Sequence, residues 1–147
     1  AMTQTQETLA ELRQLSRGIA PPVLVDRGLE AAIDETAARS AIPVTVYSSI
    51  PEKLPDHVEQ AAYFVISESL VNANKHSRAT TIDLITAVQD GWLYVTITDD
   101  GMGGASTAKG HGLAGLEERL QGVDGRLSVT SPTGGPTTIE AVIPCES

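Results

Sequence analysis

Apolar residues recur at helical spacing through the middle of the chain: Val58, Ala61, Ala62, Val65, Ile66, Leu70 and Ala73. This stripe predicts the longest helix, about 57–76, opened by a capping-box pattern in which Asp56 stands three residues before Glu59. Two alternating stretches follow, Thr81–Val88 and Trp92–Thr98, joined by Gln89-Asp90-Gly91 in the manner of a β-hairpin. Upstream, Leu29 to Arg39 reads as a helix and Ile42 to Ile50 as a strand through Val44 and Val46, with Pro51 and Pro55 bracketing a turn. Downstream come a glycine-rich loop, a helix near 112–121, and closing strands Arg126–Thr130 and Thr137–Ile143 around Pro132–Pro136. Near the start, Leu9, Leu12, Leu15 and Ile19 form a narrow stripe on a polar helix over 5–17, which Gly18 and Pro21-Pro22 stop. Such a stripe suits a partner helix better than a core. No internal repeat or low-complexity block interrupts the series. The expected fold is α+β, a two-layer sandwich with a mixed, mostly antiparallel sheet of about five strands and three helices on one face.

Composition narrows this picture without changing it. At 147 residues, 41% hydrophobic and 20% charged, the chain is expected to form one globular domain with a real core. The net charge of −9 argues against direct nucleic-acid binding, which needs a basic patch. Cys145 is the single cysteine, so no disulfide framework is expected and a reducing, cytoplasmic setting fits. No apolar run approaches the ~20 residues of a membrane helix, and no signal peptide is expected to precede the fold.

The chemistry concentrates in three places. The first is the polar cluster Glu68-Ser69-Leu70-Val71-Asn72-Ala73-Asn74-Lys75-His76. Stepping ~100° per residue, Asn72 falls inside the apolar stripe and Glu68 at its edge, one turn away. Such a pair is commonly a satisfied core amide beside a solvated charge. It also suits catalysis, because an amide oxygen can ligate Mg²⁺ and a carboxylate can orient or deprotonate an attacking group. Lys75 reads either as a surface lysine or as a point charge for a phosphate. His76 reads as a helix-terminal residue, since no second His or Cys stands at ligand spacing.

The second place is Asp99-Asp100-Gly101-Met102-Gly103-Gly104. Asp-Gly is ordinary turn punctuation, yet Asp99 continues the buried register of Leu93, Val95 and Ile97. An inward carboxylate needs a donor, and the exocyclic amine of adenine is a suitable one. Asp100 points away. The third place is Gly110-His111-Gly112-Leu113-Ala114-Gly115-Leu116, running into a helix start where backbone N–H groups favour an anion. Neither glycine element has P-loop or dinucleotide-fingerprint spacing.

In this order and spacing, E-x-x-x-N, D-x-G-x-G and G-x-G resemble the boxes of the Bergerat-fold ATPases, shared by DNA gyrase, the large heat-shock chaperone, mismatch-repair ATPases and sensor histidine kinases. The wording ESLVNANKHS and GHGLAGLEERL is most similar to the nitrate-sensor-like histidine kinases of two-component systems. The resemblance implies a catalytic domain over 23–147, with residues 1–22 similar to the end of a dimerisation helix and its linker. It implies Glu68 as the catalytic, polarising carboxylate and Asn72 as the Mg²⁺ ligand. It implies an ATP-binding set of Asn72, Lys75, His76, Asp99, Gly101, Gly103, Gly110, His111, Gly112, Leu113 and Thr137, with Asp99 on the adenine amine and Gly110 and Gly112 cradling phosphates. Pro136 stands where these kinases usually have Gly. No phosphoacceptor histidine has a counterpart here, since His57, His76 and His111 match no acceptor motif.

The implied partners are a histidine-bearing dimerisation domain of the same protein and a response regulator with DNA-binding output. The parent is expected to be a homodimer, with attachment to a membrane left open. Two alternatives remain: an anti-sigma-factor serine kinase of the same fold, and a nucleotide-binding module without turnover.

Overall fold

The computed structural model describes residues 21–51, 53–101 and 113–145, with residues 76, 77, 113 and 114 described by their backbone alone. The expected helix over 5–17 lies outside the described residues. Helix α1 spans Pro22–Arg27, α2 Leu29–Ala38, strand β1 Val44–Ser49 and helix α3 Asp56–Asn72, which continues as a π-helical turn over Ala73–Ser77. Then follow β2 (Ile82–Gln89), β3 (Trp92–Asp99), helix α4 (Leu113–Gln121), β4 (Arg126–Thr130) and β5 (Thr137–Pro144). The strands form one five-stranded sheet in the order β1-β2-β3-β5-β4. Only β1 and β2 run parallel, and α3 is the crossover that such a pair requires. The architecture is the α+β sandwich expected, with α2, α3 and α4 packed on one sheet face.

Pro22 opens α1, a helix the sequence pattern does not predict, because its fixed φ and missing N–H suit the first helical position. One local expectation needs correction. Helix α3 carries no capping box. Pro55 stands at the N-cap with its carbonyl taking the amides of Val58 and Glu59, so Asp56 is already helical. Asp56 instead pairs with Lys53 at 2.9 Å.

The hairpin forms as its sequence predicts. Asp90 (φ 53°) and Gly91 (φ 81°) supply the two left-handed residues of a two-residue turn, and Gln89 faces Trp92 across it. Alternation then sorts β3: Leu93, Val95, Ile97 and Asp99 point into the core, while Trp92 and Tyr94 point to the uncovered face beside Tyr47 and Ile85. All seven stripe residues of α3 are buried. So are Glu59, Tyr63, Ser67 and Ser69, because α3 is walled by α2 on one side and α4 on the other as well as by the sheet. A helix so enclosed sheds its polar face except where a partner or a ligand accepts it.

That enclosure positions the site. Glu59 is 4% exposed and accepts backbone hydrogen bonds from Leu29 and Leu54, closing the N-terminal end of α2 from a neighbouring helix. At the other end, Asn74 holds the α2–β1 connection. Its Oδ1 accepts from the amides of Ala41 (3.0 Å) and Ile42 (3.2 Å), and its Nδ2 donates to Ser40 Oγ and the Leu70 carbonyl.

Candidate functional site

Among the described candidate residues, Glu68, Asn72 and Lys75 lie at the C-terminal end of α3 and on the turn that follows it, while Asp99, Gly101 and Thr137 lie where β3 ends and β5 begins. Glu68 is half-buried on α3, one turn before Asn72. Burial pushes the Glu68 carboxyl above its ordinary range, and the charge of Lys75 pulls it partly back. Lys75 itself is exposed and follows Asn72 on the π-helical turn. A single π-turn inside a helix re-aims the side chains at its end, which is where such turns gather function.

Asn72 is half-buried, and its Nδ2 is sealed from solvent with no hydrogen-bond partner among the described residues. An orphaned buried amide costs about 1–3 kcal/mol. This one differs from Asn74, two residues on, whose amide is fully engaged. Ser67 Oγ and Ser69 Oγ are also unpartnered among the described residues, though each can turn to the helix carbonyl behind it.

Asp99 is 6% exposed, at the last position of β3. Its Oδ1 accepts the Gly101 amide at 2.9 Å, folding the chain back in an Asx turn. Burial raises the Asp99 carboxyl; the Gly101 amide lowers it, and the Asp100 charge adds a smaller upward push. The second carboxylate oxygen has no hydrogen bond from the described residues, so the group is desolvated and half-satisfied. Thr137 is directly opposite Asp99 in the β3–β5 ladder. It is buried, with its hydroxyl 2.6 Å from Ser131 Oγ.

Gly103, Gly110, His111 and Gly112 lie outside the described residues, as does the side chain of His76. Leu113 opens α4, whose Arg119 guanidinium sits 4.7 Å from the centre of the Phe64 ring on α3. That contact holds α4 along the face of α3 that carries Phe64. No group of three or more His, Cys, Asp or Glu residues that could hold a metal occurs among the described residues. No helix among them is long and apolar enough to cross a membrane.

Two residues with a part in the site's geometry escape sequence reading. Asp100 points outward as expected, yet its carboxylate accepts the amides of Thr80 (2.7 Å) and Thr81 (3.0 Å) and the Thr80 hydroxyl. Asn74 is the other. A turn-like Asp-Gly and an Asn within a polar run give no signal of partners 19 to 34 residues away.

Comparison with known proteins identifies the family to which this fold belongs. Residues 57–147 match the sequence profile of the histidine kinase-, DNA gyrase B- and HSP90-like ATPases. The chain is 27% identical over 147 residues to the sensor histidine kinase YxjM of Bacillus subtilis strain 168, covering 97% of this chain and 36% of that protein. It is 29% identical over 115 residues to the nitrate/nitrite sensor protein NarX of Escherichia coli K12, covering 76% of this chain and 19% of that protein. Among solved structures, the histidine kinase domain of the Erythrobacter litoralis EL346 blue-light activated kinase superposes with a TM-score of 0.64 at 26% identity, over 79% of this chain and 58% of that one. The chain spans about a third of YxjM, at 36% of its length.

Proposed function

The chain belongs to the family of histidine kinase-, DNA gyrase B- and HSP90-like ATPases, and on that premise we propose that it donates the γ-phosphate of ATP to a histidine on a separate helical bundle. It is an ATP-binding catalytic domain of the sensor histidine kinase type. In the proposed mechanism the adenine amine donates to the free oxygen of Asp99, whose other oxygen the Gly101 amide already holds. Gly101 leaves the wall beside it without a side chain, and Thr137 flanks the base from β5.

The residues fit a magnesium nucleotide. Asn72 would hold Mg²⁺ through its amide oxygen; the observation that carries the nucleotide reading is the buried Asp99 carboxylate, held on one oxygen by the Gly101 amide. The chemistry such a cation would supply there is positive charge against the ATP phosphates. Glu68, with its raised carboxyl, is set to polarise or deprotonate the attacking imidazole. Lys75 stands near enough to bias that carboxylate, and it can also meet a phosphate. On the family pattern alone, the same reading adds Gly103 to the adenine wall, puts Gly110 and Gly112 on the phosphates, and counts His76, His111 and Leu113 among the ATP-binding residues.

The parent protein is proposed to be a homodimeric, cytoplasmic or membrane-attached sensor that passes the phosphate to a response regulator with DNA-binding output. Incubation with γ-labelled ATP, Mg²⁺ and a histidine-bearing bundle in trans tests this. Base-stable, acid-labile label on the bundle is expected, with none on the chain alone. Label on serine, or self-labelling on histidine, contradicts the assignment.

A further inference from the structure

We propose that Asp100 is a positioning residue for base recognition: it anchors the turn that aims Asp99, although it faces away from the nucleotide site. The inference rests on the reading of Asp99 as the adenine contact. Beyond Asp99 the β2–β3 ladder weakens, with the Asp100 amide reaching the Thr81 carbonyl at only 3.4 Å. The Asp100 side chain replaces the lost pairing. One oxygen accepts both the Thr80 and Thr81 amides, and the other accepts the Thr80 hydroxyl. Thr80 and Thr81 lie between the π-helical end of α3 and Ile82, which is itself bonded to the Pro43 carbonyl at 3.0 Å. The carboxylate therefore ties the end of β3 to the segment that leaves the Asn72–Lys75 turn.

From that anchor the chain folds back, and the Gly101 amide reaches Asp99 Oδ1 at 2.9 Å. This bond fixes which oxygen of Asp99 remains for a ligand. Without the Asp100 anchor, Gly101 is free to drift and Asp99 can rotate away from its productive setting. An outward, fully solvated carboxylate with three protein donors at one backbone junction has little to do other than set that junction. Its acidity agrees, since the three bonds hold it at about 2.

The test measures binding of ATP and of inosine triphosphate, which lacks the 6-amino group, to wild type, Asp100→Ala, Asp100→Asn and Thr80→Val. In wild type ATP binds more tightly than its inosine analogue. In Asp100→Ala that preference narrows by about tenfold, the scale of one hydrogen bond involving a charged group. Asp100→Asn restores most of it, because its oxygen still accepts both amides and its NH₂ can donate to the Thr80 hydroxyl. Thr80→Val, the milder change should Asp100→Ala fail to fold, narrows it in part. General destabilisation weakens both nucleotides alike and leaves the ratio unmoved, so an unchanged ratio in folded Asp100→Ala or Thr80→Val overturns the inference.

Amide exchange in the nucleotide-free protein separates this failure from failure of the site reading. Gly101 and Thr81 lose protection in Asp100→Ala and keep it in Asp100→Asn if Asp100 sets the turn; unchanged protection contradicts that. A wild type that binds neither nucleotide overturns the Asp99 reading and the base-recognition role together, leaving the exchange result to report on the anchor alone.

Discussion

Helix α3 carries a glutamate near each end, and the two are buried for opposite reasons. Burial raises both carboxyls. Glu59, at the N-terminal end, meets the backbone amides of Leu29 and Leu54 and so closes the start of α2. Glu68, near the C-terminal end, has the charge of Lys75 but no hydrogen bond from the described residues. Asn72 and Asn74 repeat the contrast over two residues: one amide is orphaned, the other bonded to Ser40, Ala41, Ile42 and Leu70. Polar groups close together on one helix thus differ in whether the described residues supply their partners. On the proposed reading, Glu59 and Asn74 hold the fold while Glu68 and Asn72 serve the nucleotide.

Substitution at the two ends should separate these roles. The largest effect belongs to Glu68→Gln, expected to lower transfer to a bundle histidine by about 10²–10⁴-fold, the usual worth of a general base. Its melting temperature should hold or rise, since a desolvated charge is removed; a large loss of stability with transfer intact would erase the contrast. Next comes Glu59→Ala, which strands two amides and should cost about 1–3 kcal/mol in denaturant unfolding while leaving nucleotide affinity per folded molecule unchanged. Asn72→Ala should abolish the gain in ATP affinity that Mg²⁺ confers, roughly tenfold in Kd if one ligand to the cation is lost. Calorimetry with and without Mg²⁺ reads this directly.

The smallest effect is on pH. Transfer that needs ionised Glu68 rises with pH through a midpoint above the ordinary carboxylate value of 4.5, because burial raises that carboxyl. Lys75 opposes the rise, so Lys75→Met should move the midpoint further up. A downward shift, or none, would remove Lys75 from the site's electrostatics.

Much of this was legible in the sequence, and the limits have physical causes. The α3 stripe, the Asp90-Gly91 hairpin and the inward register of Asp99 follow from periodicities of 3.6 and 2, which a single chain displays directly. Glu68 and Asn72 stood out because they break the first of these patterns. Glu59 did not, since an acidic residue in a first helical turn is ordinary; its burial depends on α2 packing 30 residues upstream. Helix α1 was hidden because two prolines read only as the end of a preceding helix, although Pro22 also suits a first helical position. Asp100 and Asn74 act through partners remote in sequence, where no local pattern reaches. Residues 102–112, which contain Gly103, Gly110, His111 and Gly112, lie outside the described structure, so those assignments still stand on the motif.

The central claim is that the open end of α3 and the half-satisfied Asp99 form a nucleotide site. A titration of ATP into wild type and Asp99→Asn, each shown to be folded, tests it most directly. Saturable ATP binding by wild type, lost or severely weakened in Asp99→Asn at equal or higher melting temperature, is the predicted result. Equal affinity in both proteins, or no binding to wild type at millimolar ATP, would contradict it.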